Sequence, residues 1–266
     1  MHRHLLLLAL AAFCACTTTA PRPPLDLSGA ELVDLTWAFD EKTLYWPTSP
    51  SAFEIKELAY GPTPGGWFYA SNAICTPEHG GTHLDAPIHF AEGKRTADEI
   101  PLRQLLAPAV VIDVAAKAAA NADYRLTADD VRAWESQHGA IAAGTIVLLR
   151  TGWGTRWPDR KRYFGDDTPG ATDNLHFPSY GEDAARLLVT DRRVAALGVD
   201  TASIDYGQSK DFIVHRVANG ADVPGFENVA NLERLPARGA FVIALPMKIA
   251  RGSGGPLRIV AAVPRM

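Results

Sequence analysis

The sequence is short of cysteine and of net charge. Of its three cysteines only Cys75 lies beyond residue 20, so no intramolecular disulfide framework is expected in the folded part of the chain. The formal net charge is −4, with acidic and basic residues mixed along the chain, and there is neither a nucleic-acid-binding composition nor a polybasic segment. We find no internal repeat. These absences favour a globular protein that depends on its hydrophobic core and acts on a small molecule.

Apolar residues are plentiful enough for one large domain. The chain is 266 residues long and 47% hydrophobic, which suffices to bury a substantial core, and no second domain boundary is visible. Cys75, between Ile74 and Thr76, is expected to be a small buried apolar side chain rather than a metal ligand.

The first twenty residues have the composition of an export signal. A short basic start precedes an apolar run at 5–12 that is too short to span a bilayer, and small residues follow. Cys16 after Ala15 fits lipoprotein cleavage and lipidation better than Cys14 does. We predict a signal segment at 1–20, a tether rich in Thr and Pro at 21–30, and the folded domain at 31–266. The protein is expected to be exported, either periplasmic or lipid-anchored to the bacterial envelope through Cys16.

Strand and helix patterns alternate along the rest of the chain. Two helices are marked by capping sequences: Thr127 precedes one that ends near Gly139, and Ser179 precedes one that runs to about Thr190. The alternation predicts an α/β domain with a mixed, strand-rich core rather than a simple doubly wound sheet. Buried strands are predicted at 31–35, 110–114, 145–150, 194–199, 239–245 and 257–263.

Four potential metal ligands are concentrated between residues 79 and 89. Gly80, Gly81 and Pro87 oppose a helix, and a helix would turn some of the ligands away from the others. In an extended segment side chains alternate with period two, so the ligands, all at odd-numbered positions, share one face. The predicted ligand face carries His79, His83, Asp85 and His89.

These residue types indicate a catalytic metal site. Imidazoles and a carboxylate suit a divalent ion such as zinc or manganese, and a catalytic site keeps a coordination position for water. The alternative is that the four polar side chains only hydrogen-bond one another beneath a loop. Farther along the chain, His215 and Glu227 flank a stretch containing Gly220 and Gly225 that could fold back, but spacing alone leaves them an ordinary histidine and a solvated carboxylate.

The segment 79–89 resembles the signature of the cyclase family of metal-dependent hydrolases, which includes bacterial kynurenine formamidases and isatin hydrolases. The resemblance covers most of the chain after about Leu32 and implies an α/β fold of the swivelling β/β/α type, usually assembled as a homo-oligomer. It continues through 198–205, His215 and 227–232, and resembles the isatin hydrolase branch most at 45–48, 205–212 and 252–256.

The resemblance also implies roles for individual residues. His79, His83 and Asp85 would bind a first metal ion, and Asp85 would bridge to a second ion held by His215 and Glu227. The cofactor would be one or two divalent ions, Zn²⁺ as in the formamidases or Mn²⁺ as in isatin hydrolase-like members. His89 would be the catalytic proton shuttle between water and the departing nitrogen. Its alternative role is a further metal ligand.

Aromatic residues before the metal motif indicate what the site accepts. Trp67 and Phe68, after two glycines, are the candidate substrate-binding residues, because a flat apolar wall suits an aryl amide or lactam. The predicted reaction is metal-dependent hydrolysis of a carbon–nitrogen bond, with isatin to isatinate as the first candidate and hydrolysis of N-formylkynurenine by an arylformamidase as the alternative. A lactonase or dehydratase on the same scaffold, and a non-catalytic surface lipoprotein that binds a metal or ligand, are further alternatives.

Overall fold

The computed structural model describes Leu27 and residues 29–265. The predicted signal segment, its candidate lipid attachment site Cys16 and most of the predicted tether lie outside these residues. Ala30, predicted as the last residue of the tether, is already part of the first strand. The described strands are β1 (Ala30–Asp34), β2 (Glu54–Pro62), β3 (Phe68–Cys75), β4 (His83–Asp85), β5 (Leu106–Asp113), β6 (Arg125–Leu126), β7 (Ile146–Arg150), β8 (Ser179–Tyr180), β9 (Ala196–Val199), β10 (Gly225–Glu227), β11 (Arg238–Pro246) and β12 (Gly254–Pro264).

Seven strands close into a barrel-like mixed sheet in the order β4-β12-β11-β5-β7-β9-β10, because β4 pairs with both β12 and β10. The strands β5, β7, β9 and β10 run parallel to one another, and the remaining pairings are antiparallel. Strand β1 joins the sheet beside the second half of β12. The prediction of a single α/β domain with a mixed, strand-rich core is confirmed.

The parallel strands β5, β7 and β9 bury both of their faces. Along β7, Ile146 and Leu148 belong to the cluster that fills the barrel, whereas Val147 and Leu149 belong to a second cluster beneath the helices on the outside. Successive side chains of a strand point to opposite faces, so a strand buried on both sides is apolar throughout. This is why the predicted strands at 110–114, 145–150 and 194–199 were visible as continuous apolar runs.

Six α-helices lie within the described residues, and the two predicted ones are among them. Thr127 caps α3 through a reciprocal box with Asp130, as its sequence predicts. The predicted helix cap at Ser179 is wrong. Ser179 belongs to β8, and its hydroxyl donates to Ser203 O and Ile204 O. Gly181 is the residue that precedes the helix. The helices are α1 (Leu102–Leu105), α2 (Ala115–Ala120), α3 (Ala128–His138), α4 (Arg160–Phe164), α5 (Glu182–Arg186, continued by a π-helical turn at Leu187–Asp191) and α6 (Ile213–Gly220).

The hairpin of β2 and β3 stands apart from the barrel as a separate two-stranded sheet. Cys75, at its end, is exposed, so the prediction that it is buried is wrong; a two-stranded ribbon has no second layer to cover it. Among the described residues, no helix is long and apolar enough to cross a membrane.

Candidate metal centre

The segment 79–89 brings its four ligand residues together, although only its middle is a strand. His83 and Asp85 lie on β4, two residues apart and on the same face. His79 comes before a turn in which Gly81 has a left-handed φ of 56°, and His89 ends a 3₁₀ turn at Pro87–His89. The predicted extended geometry is therefore correct for Asp85 and His83 and wrong for the two ends, where turns direct the imidazoles back to the same point.

Asp85 is the centre of the cluster. Its Oδ1 lies 2.6 Å from His79 Nδ1 and 3.2 Å from His83 Nε2, and its Oδ2 lies 3.2 Å from His215 Nε2. The carboxylate is 1% exposed. Its two oxygens therefore belong to two ligand groups, one with His79 and His83 and the other with His215 and His89.

Residues from the second half of the chain complete the cluster. Helix α6 carries His215, whose ring is fixed by Asp205: the Asp205 Oδ2 lies 2.7 Å from His215 Nδ1 and also accepts the backbone N–H of His215 at 3.0 Å. Glu227, at the end of β10, lies 3.2 Å from His215 Nε2 and 3.5 Å from His83 Nε2. The pairing of β10 with β4 sets Glu227 directly opposite His83.

The charges of this cluster depend on one another. Burial alone would lower the pKa of His83, but the Asp85 and Glu227 carboxylates outweigh it and raise this pKa to about 9. Burial also opposes the charged form of His215, yet hydrogen bonds to Asp205 and Asp85 hold its pKa well above the ordinary value. Burial and the charge of Asp85 raise the pKa of Glu227. The carboxylates thus favour the protonated forms of His83 and His215, and a divalent cation would displace those protons.

The donor set fits a divalent metal ion. Two buried carboxylates face three imidazole nitrogens at 2.6–3.5 Å, and the outer nitrogen of His215 is already held by Asp205, an arrangement typical of metal-bound histidine. His79, His83 and Asp85 would hold one ion, while Asp85 with His215 and Glu227 would hold another. The His and carboxylate donors suit zinc and manganese alike.

His89 lies at the edge of this cluster. Its ring stacks on that of His79, with centroids 3.8 Å apart, and packs against Phe90. Burial lowers its pKa to about 3, so at neutral pH it is an uncharged imidazole. It also belongs to the ligand group of Asp85 and His215, so the predicted shuttle and the alternative ligand role are both compatible with its position.

The cluster forms the floor of a cavity of about 360 Å³, at the small end of the range of ligand pockets. Trp67 and Phe68 do not line this cavity in the single chain, and their substrate-binding role stays a prediction. They are 63% and 61% exposed on the hairpin of β2 and β3, which stands away from the barrel. The aromatic wall consists instead of Tyr45, Trp46, Phe90, Phe164 and Phe212.

Several residues of the site were not predicted from the sequence. Asp205 and Phe212 lie in a segment that resembles the isatin hydrolase branch, but nothing in their spacing shows that one orients His215 and the other lines the cavity. Ser253 donates to Glu78 and its Oγ lies 2.9 Å from His79 Nε2. Asn228 donates to Gly81 O, the same carbonyl that faces His83 Nδ1. These contacts join segments far apart in sequence.

Comparison with known proteins places this site in a family. The model of the Cyclase family matches residues 33–206, which include the whole of the segment 79–89. The chain belongs to the cyclase family. It is 38% identical over 208 residues to an isatin hydrolase of Roseibium aggregatum, covering 75% of this chain and 77% of that protein. It is 30% identical over 215 residues to a kynurenine formamidase of Sphingopyxis alaskensis, covering 81% of this chain and 90% of that protein.

The fold of this cyclase-family chain also matches solved structures. An isatin hydrolase bound to the product analogue thioisatinate superposes with a TM-score of 0.82 at 33% identity, covering 89% of this chain and 94% of that one. The predicted membership of the metal-dependent hydrolases of this family, with isatin hydrolase as a similar member, is confirmed.

Proposed function

We propose that this cyclase-family hydrolase opens the lactam ring of a small aromatic substrate, with isatin as the candidate and isatinate as the product. The observation that carries the proposal is the cluster of ligands around Asp85 at the floor of an aromatic-walled cavity. A flat bicyclic lactam matches the size and the apolar character of that cavity. The similarity to an isatin hydrolase at 38% identity supports the same substrate class.

The reaction adds water across one carbon–nitrogen bond. The oxygen of water bonds to the lactam carbonyl carbon, the bond from that carbon to nitrogen breaks, and one proton of the water passes to the nitrogen. The second proton is released to solvent as the new carboxylic acid ionises to isatinate. A divalent metal, when bound, supplies a Lewis acid for the carbonyl and lowers the pKa of water. His89, beside Asp85 and His215, is placed to accept the proton of the attacking water and return it to the nitrogen. The aromatic wall orients the ring and excludes bulk water.

The resident metal is proposed to be Mn²⁺, as in isatin hydrolase-like members, with Zn²⁺ as the alternative. Asp85 presents its two oxygens to two ligand groups, which supports a site for one or two ions. The test is to strip the full protein of metal, reload it separately with Mn²⁺ or Zn²⁺, and follow the loss of isatin. Turnover with Mn²⁺ that exceeds turnover with Zn²⁺ is expected; turnover with neither ion would contradict the proposed substrate.

Hydrolysis of N-formylkynurenine is the second candidate, favoured by the kynurenine formamidase relative at 30% identity. The same residues would serve it, because an aryl formamide also needs a polarised carbonyl and a proton for the departing nitrogen. The reloaded protein should therefore be assayed with both substrates. Formamide cleavage without isatin opening would move the assignment to the arylformamidases.

The catalytic role of His89 separates an enzyme from a non-catalytic surface lipoprotein that only binds a metal or ligand. His89→Ala should lower turnover by at least about 100-fold, since general acid–base catalysis contributes that much or more, while the metal content stays unchanged. The control is His176→Ala, because His176 pairs with Asp123 outside the cavity. A fall in metal content together with activity would instead make His89 a ligand, and an absence of turnover in the unaltered protein would favour the binding protein.

We further propose that the protein acts after export, in the periplasm or anchored through Cys16, and that it assembles as a homo-oligomer. The proposed export rests on the composition of residues 1–20. The proposed assembly is supported by the exposed apolar side chains of the hairpin of β2 and β3. Export places the hydrolase where it would meet substrates from outside the cell and supports a scavenging or detoxifying role.

A further inference from the structure

A second, wider cavity of about 1330 Å³ lies away from the metal centre, and its charged lining residues are all arginines. They come from four segments: Arg103 from α1, Arg193 from the turn before β9, Arg238 from the start of β11 and Arg265 from the end of β12. No aspartate or glutamate lines this cavity. The wall between the arginines consists mainly of small apolar residues of β5, β7 and β11.

The arginine cavity lies at the end of the barrel opposite the metal centre. Strand β9 begins at the arginine cavity and ends before Asp205, which orients His215. Strand β12 starts beside Ser253, a neighbour of His79, and ends at Pro264 in the wall of the arginine cavity. An eleven-residue strand is about 35 Å long, so the two cavities open far apart.

The arginines of this face have no carboxylate in direct contact among the described residues. None of the four arginines forms an ion pair there, whereas arginines elsewhere, such as Arg234 and Arg258, pair with Glu31 and Asp34. Arg238 donates to the carbonyls of Gly139 and Ala140, and it lies near Glu135, which itself pairs with Arg192. Charges farther away than about 8 Å are screened at physiological salt, so this local excess counts more than the net charge of −4.

The chain enters the fold at the same place. Gly29 and Ala30 line the arginine cavity, and twelve residues separate Gly29 from Cys16. A segment of that length reaches at most about 45 Å even when fully extended. A chain held at a membrane through residues before 17 would therefore keep this face within about 45 Å of the lipid.

We propose that the face around the arginine cavity docks on an anionic phospholipid surface. Lipid phosphates complement exposed guanidinium groups, and each basic side chain near a negatively charged leaflet adds to the attraction. In that orientation the substrate cavity opens away from the membrane. The proposal is independent of the substrate, because none of the four arginines takes part in the metal centre.

The test compares two variants of the full chain that lose the same charge. One carries Arg103→Ser, Arg193→Asn and Arg265→Ser; asparagine is chosen because residue 193 has a φ of 52°. The control carries Arg132→Ser, Lys161→Ser and Arg186→Ser, whose side chains are 60%, 72% and 56% exposed elsewhere. Binding is measured by flotation with phosphatidylcholine vesicles, with and without phosphatidylglycerol, at low and high salt. All proteins share the same N-terminal residues, so the contribution of the N-terminus cancels.

The wild-type chain should prefer the anionic vesicles and lose this preference at high salt. The cavity variant should bind them roughly tenfold or more weakly than the control variant does, with unchanged isatin turnover in both. Equal binding by the two variants, or no preference of the wild type for phosphatidylglycerol, overturns the proposal. Binding of inorganic phosphate without vesicle binding would also overturn it and would indicate a site for free anions. A changed oligomeric mass of the cavity variant would overturn it as well and would indicate that this face is a contact between copies.

Discussion

Asn228 fixes the backbone from which His83 projects. Its side-chain amide donates to Gly81 O at 2.7 Å, and the same carbonyl lies 3.0 Å from His83 Nδ1, so both hydrogen bonds hold one turn. Tyr163 in turn donates to Asn228 Oδ1. Asn228→Ala should lower the affinity for the metal about tenfold or more, the usual cost of losing a partner that orients a ligand. Titration of the metal-free variant with Mn²⁺ or Zn²⁺ measures this.

The chain offers a matched control for that substitution. Asn231 has a left-handed φ of 56°. Like the amide of Asn228, its side-chain amide donates to a backbone carbonyl, Asp34 O, at 2.7 Å. Asn231→Ala should cost a similar free energy of unfolding, about 1–3 kcal/mol, and leave metal affinity unchanged. Equal metal affinities for the two variants would show that Asn228 has only a structural role.

Asp200 predicts how stability depends on pH. Burial raises its pKa to about 6, although Thr151 and Gly152 donate to the carboxylate. In the unfolded chain its pKa is near 3.9, so between about pH 4 and pH 6 the unfolded state releases a proton that the folded state keeps. The free energy of unfolding should therefore fall by up to about 3 kcal/mol as pH rises through this window, and stay level above it. Urea unfolding of the wild type and of Asp200→Asn at pH 4 to 7 checks this. Parallel profiles for the two proteins would contradict it.

At the scale of elements, long apolar segments were predictable and short ones were not. Strands such as β7 and β9 bury both faces, and the Thr127 cap of α3 has a local signature. Strands β4 and β10 have three residues each, and α6 has eight, too few for a periodic pattern. These short elements carry His83, Asp85, His215 and Glu227. The spacing of residues 79–89 showed the first ligands, but the role of His215 and Glu227 came from family resemblance.

From the hairpin of β2 and β3 we predict that the protein forms an oligomer. The hairpin carries large exposed apolar side chains, including Ile55 at 62%, Ile74 at 55% and, just before β3, Trp67 at 63%, and Ile55 lies opposite Ile74. A lone two-stranded hairpin is marginally stable in water, and exposed apolar patches of this kind mark interaction sites. We expect a second copy to cover it. Ile55→Ser with Ile74→Ser should reduce the mass measured by light scattering to that of a smaller species.

The control for the hairpin is Leu102→Ser. Leu102 is 67% exposed on α1, outside the hairpin, so its loss should leave the oligomeric mass unchanged. A monomeric wild type, or an equal effect of both variants, would show that the hairpin does not mediate assembly.

At the scale of the whole molecule, closure of the barrel assembles the site. Strand β4 lies between β10, which brings Glu227, and β12, whose start is next to Ser253. The ligands therefore come from segments more than a hundred residues apart, and they meet only because the sheet joins its two edges. No local sequence pattern indicates that the barrel closes. The spacing of residues therefore did not identify His215 and Glu227 as metal ligands.

Gly254 is the position where closure leaves no room for a side chain. A Cβ there would lie 2.4 Å from Leu84 O and 2.6 Å from His79 Cε1, so either β4 or the His79 ring would have to move. Gly254→Ala should cost about 1–3 kcal/mol of stability and also weaken metal binding, because the shifted groups belong to the site. Gly220→Ala, at the end of α6 with open space around it, is the control and should retain both. Thermal unfolding with and without bound metal separates the effect on stability from the effect on metal binding. A loss of stability with full metal affinity would mean that β12 alone moves to make room for the methyl group.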